Sequence, residues 1–337
     1  MLTTESAVGL VTRLLQAVGF PDAPAARTAK VIVWADAMGI GSHGAIRLPY
    51  YIRRCLAGGI RVDSPLSETL QLPAVTRLDG RDGMGHWQAW RAAEIAGARA
   101  SESGIHMVGV SRSSHCGALG AHVWPMLDRG CLGLVLTNGP AAVAAPGSGR
   151  PVLSTGPIAV GIPCAQGHIV VDLATTLWAR GRISAAARAG DDLPAGVAVD
   201  RLGKPTHDPV EALSGSLSAM GGYKGFALGL AFEALTGGLF GDVLSLHVAD
   251  MFDPSKNGQP QGIAHTVIAI HPNVLGSALA ESLDVLVNTI TDHGGHVPGA
   301  GKVSPDSMPA HQTAVDDPQL ESELLELAAE LGVDAAG

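Results

Sequence analysis

The chain has 337 residues, 46% hydrophobic and 16% charged, which excludes a disordered chain or a long coiled coil and predicts about two domains. Its net charge of −9, without a lysine or arginine cluster, argues against nucleic-acid binding, since phosphate neutralisation needs clustered cations. The 44 glycines exceed the usual share of about 7% and indicate a loop-rich α/β protein.

The first hundred residues are predicted to be mainly helical. Apolar side chains in 25–38 fall on one helical face, and 87–103 form a second helix that ends at Gly104. From there the pattern changes to short aliphatic runs bounded by Gly, Pro or Asn, which predict strands. The predicted strands are 105–110, 132–136, 158–162, 169–172, 197–200 and 266–270.

Helices return between and after these strands. The spacing predicts helices at 176–189 and from 223 to about 235, and two more at 279–291 and 319–331. The order predicts an α/β (α+β) fold with a mainly helical domain, built from 1–115 with 280–337, and a second domain at 116–279.

The compartment is predicted from what the chain lacks. Its first residues have no signal-peptide pattern, and the most apolar stretch, 225–241, contains Glu233 and several glycines, which favours a buried helix over a membrane span. The four cysteines form no C-x-x-C pair, as in a reducing cytosol. We expect a cytoplasmic protein that binds neither membrane nor nucleic acid.

A glycine-rich segment at 39–44 matches the G-x-G-x-x-G spacing of dinucleotide-binding loops. That loop needs a strand ending at its first glycine, whereas here 34–38 continue a helix. We therefore expect no Rossmann site at this position.

The same segment carries groups suited to a carboxylate substrate. On a helix that begins near Gly44, Arg47 and Tyr51 lie on one face, with His43 at its N-terminal end. An imidazole can transfer a proton near neutral pH, and a guanidinium can bind a carboxylate through two hydrogen bonds. The alternative is a helix capped by Ser42 that carries a surface arginine.

Two further polar positions follow predicted strands. His115 lies at the tip of a polar turn, where it is either a site residue or only a turn cap. Asp172 lies where a strand gives way to a helix, and it either caps that helix or orients a histidine or a ribose hydroxyl. Cys116 has no partner at metal-ligand spacing, so we expect no metal site.

Two flexible basic turns are candidates for binding cofactor phosphate. One is the glycine-rich turn 221–225, with Lys224 and Gly225, and the other is the turn 298–302. The first is not a P-loop, because the Lys-Ser/Thr ending is absent.

In sequence order, these segments resemble the malate/L-lactate dehydrogenase family that lacks a Rossmann fold, which includes sulfolactate and ureidoglycolate dehydrogenases and piperideine- and pyrroline-2-carboxylate reductases. The resemblance implies an NAD(P)H-dependent oxidoreductase, a homodimer, and a cofactor domain at 116–279 with a largely antiparallel or mixed sheet. The matching segments also include Thr137-Asn138 with Ala145-Pro146-Gly147, Thr155-Gly156-Pro157-Ile158-Ala159, Asp172-Leu173-Ala174-Thr175-Thr176, and Gly203-Lys204-Pro205-Thr206.

The resemblance also implies residue roles. His43, with Ser42 and Arg47 beside it, matches the proton donor of the reductases, whereas His115 matches the acid/base of the ureidoglycolate-type members, so both stay candidates. The implied catalytic set is His43, His115, Ser42, Arg47 and Asp172, and the implied substrate contacts are Arg47, Tyr51, Thr155 and Asn138. The implied cofactor contacts are His115, Asp172, Leu173, Ala174, Thr175, Lys224, Gly225, Pro298, Gly299 and Ala300.

Three positions depart from the family pattern. Gly156 stands where the family usually has Asn, Cys116 where an aromatic residue usually follows the histidine, and Ala300 where Glu often occurs. These changes indicate a substrate other than simple malate or lactate.

We therefore expect hydride transfer between NAD or NADP and C2 of a small 2-oxo or 2-hydroxy acid or a cyclic 2-imino acid. One alternative is a metal-dependent hydrolase or lyase that uses His43, His115 and Asp172. Another is a catalytically silent homologue that binds NAD(P)H.

Overall fold

The computed structural model describes residues 1–241, 243–276 and 278–334. Within these residues the α-helices are joined by loops and short 3-10 helices. The helices are α1 (Thr4–Ala17), α2 (Asp22–Ala37), α3 (Leu48–Leu56), α4 (Gly85–Ser103), α5 (Trp124–Leu127), α6 (Arg180–Ala189), α7 (Pro209–Ser214), α8 (Tyr223–Glu233), α9 (Leu279–Asp292) and α10 (Pro318–Glu330).

The strands form three sheets of very different size. They are β1 (Leu2–Thr3), β2 (Ser67–Leu72), β3 (Val75–Asp79), β4 (Ile105–Ser113), β5 (Leu132–Thr137), β6 (Val143–Ala144), β7 (Pro151–Leu153), β8 (Ile158–Ile162), β9 (Ile169–Leu173), β10 (Ala198–Val199), β11 (Ser216–Leu217), β12 (Ile263–Ile270) and β13 (Thr313–Val315). The main sheet has seven strands in the order β2-β3-β4-β12-β5-β8-β9, a four-stranded sheet has the order β10-β11-β6-β7, and β1 pairs with β13.

The main sheet is largely antiparallel, because β3 and β4 form its one parallel pair among the described strands. This mixed α/β architecture confirms the predicted fold class.

Several predicted elements are confirmed with small shifts in their bounds, but one hairpin was not predicted and one helix begins later than expected. Helix α4 ends at Gly104, whose φ of 83° suits glycine. The first hundred residues are mainly helical, as predicted, but 67–79 form the hairpin β2–β3, whose outer strand is mostly exposed and so has no apolar alternation to detect. The predicted helix 176–189 begins only at Arg180.

The segment predicted to be a buried helix, 225–241, is partly exposed. Helix α8 ends at Glu233, and Leu228 and Leu230 are 40% and 53% exposed. In the described part of the chain, no helix combines the length and apolar character needed to cross a membrane.

The ends of the chain pack together, as the sequence indicates. Side chains of α1, α2 and α10 share one core cluster that includes Leu14, Ile32 and Leu324. Strands of the main sheet come from both sides of residue 115, since β4 pairs with β12. The proposed domain boundaries themselves stay a prediction.

Candidate active site

A cavity of about 450 Å³ lies where several segments of the chain meet, a volume typical of small-molecule sites. It is lined by parts of the turn 38–47, the loop 115–119 after β4, the end of β9, the start of α6 and the loop 250–252. No strand precedes the glycine-rich segment at 39–44, because α2 runs to Ala37, so the absence of a Rossmann loop is confirmed.

The turn that carries His43 is fixed by Asp36 on α2. The Asp36 carboxylate accepts a hydrogen bond from the Ala45 N–H at 2.7 Å. A Cβ on Gly44 would lie 1.9 Å from Asp36 Oδ1, so only glycine allows this approach. Burial raises the pKa of Asp36 to about 7. Asp36 was not predicted from the sequence, although a carboxylate in the last helical turn before a glycine-rich segment is a usable signal.

His115 is held by a turn tied to the start of α4. Ser114 Oγ accepts from the Gly85 N–H and donates to the Gly83 carbonyl, both at 2.9 Å. The His115 N–H donates to Gln261 Oε1 at 3.1 Å. These contacts hold the backbone at Ser114 and His115 in place.

Hydrogen bonds also fix the tautomer of His115. The Gly117 N–H donates to His115 Nδ1 at 3.2 Å, and the Tyr51 hydroxyl lies 2.8 Å from the same atom. Because a backbone N–H can only donate, Nδ1 is an acceptor and the neutral ring carries its proton on Nε2. Tyr51 therefore donates to Nδ1. Burial lowers the pKa of His115 well below its usual value.

The two candidate acid/base rings lie face to face. His43 and His115 have ring centroids 5.8 Å apart and planes inclined by 17°. His43 Nδ1 lies 3.0 Å from Ser42 Oγ. Burial and then the charge of Arg47 lower the pKa of His43 to about 4. Both imidazoles are therefore neutral at pH 7 before an anion binds.

Arg47 is buried beside these rings and is not a surface residue. Its Nε donates to the Ser42 carbonyl at 2.6 Å, and its guanidinium carbon lies 4.4 Å from the centroid of the Phe252 ring. Among the described residues, no carboxylate pairs with it. A buried guanidinium without a carboxylate partner is suited to binding an anion.

A second arginine lies on the Phe252 ring. Arg180 begins α6, its guanidinium carbon is 5.1 Å from the ring centroid, and its Nη2 is 2.9 Å from Asp250 Oδ2. A Cβ on the next residue, Gly181, would lie 3.3 Å from Arg47 Nη2. Sequence reasoning missed Arg180, Asp250 and Phe252 because they come from distant segments without a local motif.

Asp172 marks the part of the cavity that is formed by the end of β9. It lies inside β9 and not at a helix start, so the helix-cap alternative was wrong. Its Oδ2 accepts from the Gly120 N–H at 2.7 Å, and burial raises its pKa. Leu173, Ala174 and Lys302 also line this part.

Three predicted substrate contacts have different positions. Thr155 lines the cavity, and its carbonyl accepts from both Thr175 N and Thr175 Oγ1 at 2.9 Å. Asn138 lines it too, but its amide already binds the Val243 carbonyl and the Ala264 N–H. Tyr51 reaches His115 and does not line the cavity.

Some predicted cofactor contacts lie away from the cavity. Lys224 is exposed at the start of α8, next to the buried Gly225. Gly299 accepts from the Val170 N–H, and Ala300 forms a β-bridge with Ile169, so this turn extends the edge of β9. In the described residues, no group of three or more His, Cys, Asp or Glu is arranged to hold a metal ion.

Known proteins resemble this chain in both sequence and fold. A family described as malate/L-lactate dehydrogenase matches residues 2–314. An L-sulfolactate dehydrogenase of Methanothermobacter thermautotrophicus is 35% identical over 255 residues, which are 76% of this chain and 75% of that protein. A (2R)-3-sulfolactate dehydrogenase (NADP(+)) of Chromohalobacter salexigens is 32% identical over 301 residues, which are 89% of this chain and 90% of that protein.

A solved structure agrees over a longer span. The delta1-piperideine-2-carboxylate reductase from Pseudomonas syringae pvar. tomato superposes with a TM-score of 0.87 at 30% identity, covering 97% of this chain and 100% of that one. The agreement in fold therefore extends over almost the whole chain.

Proposed function

Because the chain belongs to the malate/L-lactate dehydrogenase family, we propose that it transfers hydride between NAD(P) and C2 of a small 2-oxo or 2-hydroxy acid or a cyclic 2-imino acid. Its relatives are dehydrogenases and reductases, so the chain is an oxidoreductase. The observation that carries the proposal is the stacked pair His43–His115 next to Arg47, which has no carboxylate partner in the part of the chain that the structure describes.

The residues present fit a nicotinamide cofactor. Gly139 has open space on the cavity side, since an added Cβ would meet nothing nearer than Ser154 Cβ at 3.9 Å, so a flat ring can approach the backbone. Lys302 supplies a cation for phosphate in the part of the cavity that Asp172 marks. The NADP(+) in the name of one relative supports the same cofactor class. When bound, the nicotinamide supplies or accepts the hydride.

Arg47 binds the substrate carboxylate in this proposal. Its Nε is occupied by the Ser42 carbonyl, which fixes the plane of the guanidinium and leaves its terminal nitrogens for the ligand. A carboxylate there places C2 of the substrate close to the two imidazoles.

The two histidines then take different roles. His115 Nδ1 already accepts two hydrogen bonds, so a second proton on that ring would face the Gly117 N–H. His115 therefore stays neutral and donates a hydrogen bond from Nε2 to the reacting oxygen or nitrogen. The Ser42 hydroxyl beside His43 Nδ1 can rotate to donate or accept, which permits both protonation states. We assign the transferred proton to His43, on Nε2.

We also propose a homodimer in the cytoplasm. Solvent-exposed leucines continue from α8 into the next segment, and an apolar patch of this kind marks a protein interface. They are Leu228, Leu230, Leu235, Leu239, Leu244 and Leu246. Light scattering of the purified protein tests this, and a monomer at micromolar concentration would contradict it.

The activity is tested by following NADH or NADPH consumption with a panel of 2-oxo acids, each with and without methylamine, and with cyclic imino acids. Turnover of any of these compounds, lost in the His43→Ala variant, supports the proposal. Cofactor binding without turnover on the whole panel would identify the silent homologue. Stoichiometric metal, with an activity that chelators abolish, would identify the metal-dependent alternative.

A further inference from the structure

Three charged groups surround the Phe252 ring in the cavity wall. The guanidinium carbons of Arg47 and Arg180 lie 4.4 and 5.1 Å from its centroid, and Asp250 is ion-paired with Arg180 at 2.9 Å. All four side chains line the same cavity. Their charges therefore determine which net charge of a ligand is favourable in the cavity.

The two arginines are not equivalent. Arg47 is buried and, among the described residues, has no carboxylate partner, whereas Arg180 and Asp250 neutralise each other while about a quarter exposed (25% and 24%). Burial lowers the pKa of Arg47, and among the nearby charges Arg180 adds to this effect while Asp250 opposes it. The charges are thus close enough to interact, and together they carry a net charge of +1.

We propose that the Arg180–Asp250 pair makes the site selective for acids whose only anionic group is the C2 carboxylate. The inference rests on the proposed function and specifies its substrate class. One carboxylate on Arg47 neutralises the cluster, and the substituent on C3 then meets a wall that is neutral and largely apolar, with Met38, Ile40 and Met251.

A second carboxylate or sulfonate on C3 would face an unfavourable environment. It would have to approach the Asp250 carboxylate or compete with it for Arg180. Asp250 is also anchored, because its Oδ1 accepts from the Phe252 N–H at 3.0 Å, so it is not free to move aside. Two like charges about 4 Å apart repel each other by about 1 kcal/mol in water, and by more in a cavity wall.

The experiment compares 2-hydroxybutyrate with malate, two acids of the same length that differ by one charge. We would measure kcat/KM with NAD(P)⁺, and by calorimetry the dissociation constants of both acids on the protein bound to NAD(P)H. Because of the same electrostatic cost, the wild-type protein should have a kcat/KM and an affinity for 2-hydroxybutyrate that are about tenfold or more higher than those for malate. A preference for malate in both measurements would overturn the inference.

Two variants should change the preference ratio, which is kcat/KM for 2-hydroxybutyrate divided by kcat/KM for malate, in opposite directions. Asp250→Asn keeps an oxygen for the Phe252 N–H and should reduce the preference about tenfold, whereas Arg180→Gln leaves Asp250 unpaired and should increase it. Asp253→Asn is the matched control, since this exposed carboxylate lies on the same loop outside the cavity. An unchanged ratio in the Asp250 variant would contradict the inference.

The two proposals fail in distinguishable ways. If no 2-oxo, 2-hydroxy or imino acid is turned over, the proposed function fails, while the dissociation constants still test charge selection. If malate binds more tightly and is oxidised more efficiently, the function stands and the charge selection is wrong.

Discussion

Tyr51 donates its hydroxyl hydrogen to Nδ1 of His115 over 2.8 Å, from a helix that begins only three residues earlier in the chain. The rings are also stacked, with centroids 5.9 Å apart. This contact ties the orientation of a catalytic candidate to α3, the helix that directly follows Arg47. The side chain expected to bind substrate thus acts on the histidine instead.

Replacing Tyr51 with Phe should lower kcat by up to about tenfold while KM changes little. The variant removes one of the two donors to His115 Nδ1, and a neutral hydrogen bond of this kind contributes roughly 1 kcal/mol. Steady-state kinetics test this, with Tyr50→Phe on the same helix as the control. An unchanged kcat in the Tyr51 variant would show that the contact has no role in turnover.

The pH dependence of reduction should identify which histidine carries the proton. Reduction needs protonated His43, so its rate should fall as pH rises through the pKa of that group. The pH limb, meaning the pH range over which the rate falls, reports the pKa of His43. In kcat/KM it reports the pKa in the free enzyme, which is about 4, and in kcat it reports the pKa in the substrate complex. A carboxylate on Arg47 offsets one cause of the low pKa, so the kcat limb should lie at higher pH.

The histidine variants check the same assignment. His43→Ala should lower kcat by roughly 10²–10⁴-fold and abolish the pH limb, whereas His115→Ala should lower kcat but keep the limb. If His115→Ala removes the limb and His43→Ala preserves it, the two roles are reversed.

Arg47→Lys should raise KM for the acid by about tenfold or more and change kcat less. A lysine retains the charge but loses the planar, two-point contact and the hydrogen bond to the Ser42 carbonyl. The measurement is KM for one acid at saturating cofactor. A larger loss in kcat than in KM would mean that Arg47 acts mainly in the transition state.

The stability of the Asp36→Asn variant relative to the wild type should increase as pH rises. The pKa of Asp36 rises from 3.8 to about 7 on folding, so its contribution to stability is complete below pH 3.8 and is lost as pH rises through 7. The asparagine has no such dependence and can still accept from the Ala45 N–H. Between pH 5 and 8, the free energy of unfolding of the variant should gain about 2–3 kcal/mol on the wild type. Parallel denaturant titrations at both pH values would reveal a pH-independent difference if this is wrong.

Gly156→Ala should destabilise the protein by about 1–3 kcal/mol. Gly156 has a φ of 53°, and an added Cβ would lie 2.7 Å from Thr175 Oγ1 and 3.1 Å from the Gly229 backbone. Gly167→Ala is the control, since its φ of 118° carries backbone strain but nothing lies within 4 Å. Equal losses of Tm in both variants would mean that packing at Gly156 is unimportant.

The sequence predicts well the features that depend on neighbouring residues. The end of α4 at Gly104 follows from a local pattern, whereas the helix expected to begin near Gly44 begins only at Leu48 and leaves Arg47 outside it. Asp172 was singled out by its place after a strand and Thr155 by the family resemblance, and both line the cavity. Arg180, Asp250 and Phe252 were missed because their meeting depends on packing between segments about 70 residues apart, which leaves no periodicity. The hairpin β2–β3 was missed because its outer strand is exposed and is stabilised by pairing with its neighbour.

Gly181 gives the fold an unexpected property. Its missing side chain lets α6 pack closely against the turn that carries Ser42 and His43, where a Cβ would come within 2.9 Å of Ser42 Cβ. Through Ile183, α6 belongs to the core of the small four-stranded sheet. A displacement of that sheet would therefore act, through α6, on the turn that carries Ser42 and on Arg47, the proposed carboxylate ligand, and a substrate bound there would restrain the sheet in turn.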